Sequence, residues 1–220
     1  MTFKLSRLLS FSVLALFVGF AATANAGGGK AIFDAKKCGG CHQTKGPAKE
    51  KTIKDMLKKK GPELWYVGSK LQEEFLKGWL QDPKPIRPMA FYSLTKKNPG
   101  DHPKLSAKDA GEVTEYLMSL KSKDVKAGAI KPKKNIKGKL VFKKKQGCYG
   151  CHLSKKGKKI TGGMTGPTLV GASKRLNPDW IYAYMTNPKV FKPVKDMPVY
   201  VGVLNDTDMK NVSEYVSNLP

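Results

Sequence analysis

Cys38-Gly39-Gly40-Cys41-His42 and Cys148-Tyr149-Gly150-Cys151-His152 carry the decisive information in this chain of 220 residues. Each pentapeptide sets two thiols three positions apart and follows them at once with an imidazole. Thiols at that spacing can each form a thioether to one vinyl group of a single porphyrin, and the next residue then lies under the iron as its proximal ligand. The two copies use all four cysteines and two of the three histidines. The pattern points to two covalently attached haem c groups. Cys38 and Cys41 would hold one, with His42 on its iron; Cys148 and Cys151 would hold the other, with His152.

Disulfides and a shared zinc are the competing uses of paired cysteines. Neither accounts for a histidine directly after each second cysteine. Zinc sites built from such pairs usually place them about 15–20 residues apart, whereas the second motif here follows the first by 110 residues.

Residues 1–26 read as a secretory signal: Lys4 and Arg7 form a basic start, residues 8–20 an apolar run, and Ala24-Asn25-Ala26 a small-residue cleavage site. The run is shorter than the about 20 residues that span a bilayer. The expectation is a periplasmic mature chain cleaved after Ala26, which suits haem attachment because that machinery works outside the cytoplasm.

The chain has 41 basic and 17 acidic residues, and loss of Lys4 and Arg7 leaves 39 basic. Residues 121–145 are the most basic part for their length, with 11 basic residues against Asp124. Such an excess favours acidic redox proteins as partners, or an anionic membrane surface, and can also serve only solubility. Nucleic acid is a poor fit for an exported chain.

The repeat extends well past the cysteines. Gly29 and Phe33 precede the first motif as Gly138 and Phe142 precede the second. Gly61-Pro62 recurs as Gly166-Pro167 at an offset of 105, and at that offset Phe75 meets Trp180 and Trp79 meets Tyr184. Met89 corresponds to Met197, and Val113, Tyr116 and Leu120 to Val212, Tyr215 and Leu219. Apolar residues recur at helical spacing, as in Val113, Tyr116, Leu117 and Leu120, and no long alternating segment argues for a sheet. The expected plan is an all-α chain: a first domain over 27–120, a Lys-rich linker over 121–137 and a second domain over 138–220. Residues 49–60 and a nine-residue insert near 96–104 belong to the first half alone and read as surface excursions.

In its order of Gly/Phe helix, Cys-x-x-Cys-His, Gly-Pro, Met and aromatic final helix, each half resembles a class I cytochrome c domain. The resemblance implies a small helical bundle wrapped round each haem. Its first and last helices would cross at Gly29 and Phe33 against Tyr116, and at Gly138 and Phe142 against Tyr215. It also implies that the carbonyls of Pro62 and Pro167 accept the N–H of the proximal imidazoles. Pro47 is the weaker alternative, because the second half has no counterpart.

A methionine completes the iron coordination in that family. Met197, in a Lys-Asp-Met-Pro loop before the last helix, fits the position; Met164, Met185 and Met209 fit less well. Met89, in Arg-Pro-Met-Ala, is the corresponding choice in the first half, ahead of Met56 and Met118. His102 is its rival, since imidazole is a strong haem ligand. Irons capped on both sides can only exchange electrons, so the expected function is single-electron transfer in a respiratory chain. A di-haem peroxidase and the electron-accepting subunit of an oxidoreductase complex are the alternatives.

Overall fold

Residues 26–90, 93–195 and 197–220 are described by the computed structural model of the chain. The expected signal sequence lies outside them, except for Ala26.

Each half begins and ends with a helix, and these two helices cross. In the first half α1 (Ala26–Ala35) packs against α5 (Ala107–Ser119), with α2 (Ile53–Leu57), α3 (Val67–Lys70) and α4 (Glu73–Gln81) between them. In the second, α6 (Ile136–Leu140) packs against α10 (Asp206–Val216), with α7 (Ala172–Arg175), α8 (Pro178–Thr186) and α9 (Pro188–Phe191) between. Local chemistry starts these helices. Ser106, Asn135, Asn177 and Asn205 each accept a backbone N–H of the first turn, and Asp109, Asp179 and Asp208 place negative charge there.

The crossings depend on glycine. A Cβ on Gly29 would stand 1.9 Å from the Glu112 carbonyl oxygen, and one on Gly138 would stand 1.9 Å from that of Asn211. With no side chain between them the backbones touch, and an aromatic pair packs beside each contact. Phe33 and Tyr116 have ring centres 5.5 Å apart, as do Phe142 and Tyr215.

The described residues also hold a two-stranded antiparallel hairpin, β1 (Ser154–Lys156) with β2 (Lys159–Thr161), just after the second motif. It was not foreseen, because three-residue strands are too short to show alternation. Residues 49–60 are more than a surface excursion: α2 buries Met56, and the Lys59 ammonium pairs with both Glu50 and Glu63. Lys192 of the second half reaches Glu63 at 3.2 Å. Burial pushes the Glu63 carboxyl up, but Lys192 and Lys59 outweigh it and hold the group below its usual range.

The two halves meet through equivalent residues. Leu71 and Leu176 face each other in an antiparallel bridge; Gln72 N donates to Arg175 O at 2.9 Å and Asn177 N donates to Lys70 O at 2.8 Å. The repeat offset of 105 carries Lys70, Leu71 and Gln72 onto Arg175, Leu176 and Asn177, so it exchanges the two hydrogen bonds. The join is therefore a local two-fold inside one chain, self-complementary like the interface of a symmetric dimer. Tyr66, fully buried, departs from that symmetry and inserts into the apolar cluster of the second half, 5.1 Å from Phe191.

The basic linker is tied down along its length. Ser122 N donates to Ser69 Oγ, and Gly128 N and Ile130 N both donate to the Asp179 carboxylate at 2.8 Å. α6 begins at Ile136, inside the expected linker, because Asn135 caps it. Asp179→Ala should cost about 1–2 kcal/mol, two charge-assisted bonds discounted for exposure. It should lower the urea midpoint and speed tryptic cleavage between residues 121 and 135. An unchanged midpoint and cleavage rate would show that the strap contributes nothing.

Candidate haem-attachment sites

Lys37 and Gly147 both adopt the left-handed conformation, at φ 56° and 58°, and turn the chain out of the preceding helix. A tight turn follows in each half. His42 N donates to Cys38 O and His152 N to Cys148 O, both at 3.1 Å, so each imidazole stands on the turn that carries its two thiols. All four cysteines are free thiols. Cys38 and Cys148 are half-buried, and burial pushes both thiols up. Among the described residues no cluster of three or more histidine, cysteine or acidic side chains that could hold a metal ion forms.

The imidazoles are held alike. His42 Nδ1 donates to the Pro62 carbonyl at 2.8 Å and His152 Nδ1 to the Pro167 carbonyl at 2.7 Å. A carbonyl can only accept, so Nδ1 carries the hydrogen and Nε2 keeps its lone pair for a metal. Burial holds His42 below the usual imidazole value, the neutral form that ligates. Glycine lets the ring lie there: a Cβ on Gly61 or Gly166 would come within 2.7 Å of the His42 or His152 Cε1. Pro47 is occupied elsewhere, its carbonyl accepting from Gln43 Nε2 at 2.9 Å.

The methionines separate by surroundings. Met197 is half-buried against the apolar cluster of the second half. Met185 and Met209 are buried within α8 and α10, and Met164 is largely exposed. Met89 is 6% exposed and paired with Lys97 in a short hairpin, where Ala90 N donates to Lys96 O. Met56 is buried in α2. The insert is exposed over most of its length, as expected of a surface excursion, but His102 is half-buried, its ring 4.6 Å from Trp79 and 6.1 Å from His42.

The family model described as Cytochrome c matches residues 26–121 and, separately, 136–220. The chain belongs to the cytochrome c family. No curated protein and no solved structure matches it significantly. Cytochrome c domains are helical, bind haem covalently and serve in electron transfer, and this cytochrome repeats the domain.

The residues present fit such a group. Besides the thiols and the imidazoles, the join of this cytochrome holds two basic groups, Lys70 and Arg175. Burial pushes the Lys70 ammonium down to about 7 and the Arg175 guanidinium, 5% exposed, down to about 10. The Lys70 ammonium stands 4.8 Å over the Trp180 ring. Trp65 Nε1 and Trp180 Nε1 are buried without a hydrogen-bond partner. Arg175 Nη2 donates to the Thr168 carbonyl, so what lacks a partner here is the pair of buried indole N–H groups. Buried donors without an acceptor are costly, and a haem brings two carboxylates. Lys70 and Arg175 were missed from sequence, although a basic residue at both ends of the 105-residue offset was the available signal.

Proposed function

We propose that this is a periplasmic di-haem cytochrome that passes single electrons between partners in a respiratory chain. Cys38 and Cys41 would hold one haem and Cys148 and Cys151 the other. His42 and His152 would each supply a nitrogen ligand to an iron, and Met197 would supply a sulfur ligand in the second half. Bound haem supplies a reversible Fe(III)/Fe(II) couple. The protein's part is to fix the irons and exclude other chemistry. Pro62 and Pro167 orient the two imidazoles, and Lys70 and Arg175 are the basic groups at the join that would meet haem carboxylates. The observation that carries this reading is the pair of proximal imidazoles, each tied through Nδ1 to a Gly-Pro carbonyl above a free Cys-x-x-Cys turn.

Reductive titration of the holoprotein tests it. Two electrons should enter per chain, both irons should be low-spin when oxidised, and peroxide should not be turned over. Uptake of fewer electrons, or rapid peroxide turnover, would contradict an electron carrier.

The partners we propose are acidic redox proteins. Tyr149, Ile160, Met164, Val199, Val201 and Val203 are exposed around the second motif. Gly163 N bonds to Tyr149 O, and the Tyr200 phenol, pushed up to about 12 by burial and by Cys148, anchors residues 199–203 there. Lys155, Lys156, Lys158 and Lys159 lie in the adjoining hairpin. An apolar patch beside lysines suits a small, transient redox interface. The second-order rate with an acidic partner should fall about tenfold or more between low and high salt. A flat rate, with binding instead to anionic vesicles, would favour the membrane surface as the use of this charge. Among the described residues no helix is long and apolar enough to cross a membrane.

A further inference from the structure

His102 stands where the repeat has no counterpart: its nine-residue insert is absent from the second half. The insert is nevertheless anchored at several points. Gly100, at φ 71°, turns the chain, and its N–H donates to Asn98 Oδ1 at 3.0 Å. The Lys104 ammonium reaches Asp82 at 3.1 Å, and Leu105 N donates to Leu80 O at 2.9 Å, fastening the end of the insert to α4. Trp79, itself fixed by its Nε1 donating to Lys84 O at 2.8 Å, supports one side of the His102 ring.

The two imidazoles are spaced for a shared metal. Their ring centres are 6.1 Å apart with planes at 48°. Imidazole nitrogen binds first-row metals at about 2.0–2.1 Å, so two opposed rings on one iron stand with centres about 6 Å apart once the ring radius is added on each side. Rings trans to each other share only the axis through the metal, so any twist between their planes is allowed. Both Nδ1 atoms are engaged: His42 with Pro62 O, and His102 with Pro103 O at 3.0 Å. Each ring therefore keeps Nε2 as its free lone pair.

The structure assigns His102 as the second axial ligand of the first haem iron, in the place expected for Met89. Met89 belongs instead to a hairpin whose neighbours are committed to the other half: Ile86 O accepts from Thr168 N at 2.7 Å and Arg87 Nη2 donates to Thr165 O at 2.7 Å. This assignment rests on the haem reading above and makes the centres chemically unequal. A thioether favours the ferrous iron and raises the potential relative to two imidazoles. Electrons therefore settle on the second haem, and the chain has a built-in direction from its first half to its second.

The test uses the haem-loaded full chain, with haems counted by mass and the near-infrared sulfur-to-iron band of the ferric protein measured per chain. Two haems should accompany one equivalent of the band, and reduction should proceed in two resolved steps. Met89→Leu should leave the band and both low-spin signals intact, whereas His102→Ala should turn one haem high-spin without loss of the band. Two equivalents of the band in the unaltered protein would overturn the assignment, and that measurement stands even if His102→Ala fails to fold. So would loss of half the band in Met89→Leu. A mass showing fewer than two haems would overturn the haem reading itself, which is a different failure.

Discussion

Gly138→Ala is expected to destabilise the second half by about 3 kcal/mol. The added methyl would lie 1.9 Å from the Asn211 carbonyl oxygen and 2.8 Å from the Tyr215 Cβ. Neither atom is the far end of a flexible side chain, so α6 and α10 must move apart. Their separation also breaks the contact between Phe142 and Tyr215. A lower urea midpoint and incomplete haem loading of the second motif should follow. Gly78→Ala is the matched control. It lies exposed within α4 with nothing within 4 Å of its added methyl, so the change should be neutral or stabilising by about 0.5–1 kcal/mol. Equal effects at both positions would mean that the crossing does not depend on backbone contact.

Met197→Ala is expected to have the largest effect on the redox chemistry. With no second histidine in its half beyond His152, the second iron would lose its outer ligand. It should become high-spin, bind cyanide and peroxide, and fall in potential. Because the first iron is assigned two imidazoles, this one substitution should abolish the whole sulfur-to-iron band. Retention of the band would move the ligand to another methionine. The same variant bears on the peroxidase alternative, since it creates the open iron that such an enzyme needs; peroxide turnover confined to it would agree with a carrier whose irons are normally capped.

The sequence was most legible where chemistry is local. Cys-x-x-Cys-His fixes its own geometry within one turn, so the placing of each imidazole beside its two thiols could be read directly. The crossings at Gly29 and Gly138 came from the resemblance, and the structure supplies their reason, since only glycine allows so close an approach. The role of the Gly-Pro pairs was likewise implied by the resemblance, and the structure brings both proline carbonyls to the histidine rings. What escaped depends on long-range closure. The position of His102 is set by Gly100, Lys104 and Leu105 acting on α4, and nothing in the insert's composition tells an inward loop from a solvated one. The bridge between Leu71 and Leu176 is invisible in either half taken alone. The linker looked free because its lysines face solvent, but its backbone N–H groups are claimed by Asp179, 49 and 51 residues away.

Sulfur bonds should join two haems to this chain, and intact mass of the protein purified from its native host measures this most directly. The account predicts a denatured, chelator-treated chain, cleaved after Ala26, that is heavier by two haem groups, with Cys148→Ala plus Cys151→Ala removing one of them. A polypeptide mass with no covalent porphyrin would contradict it.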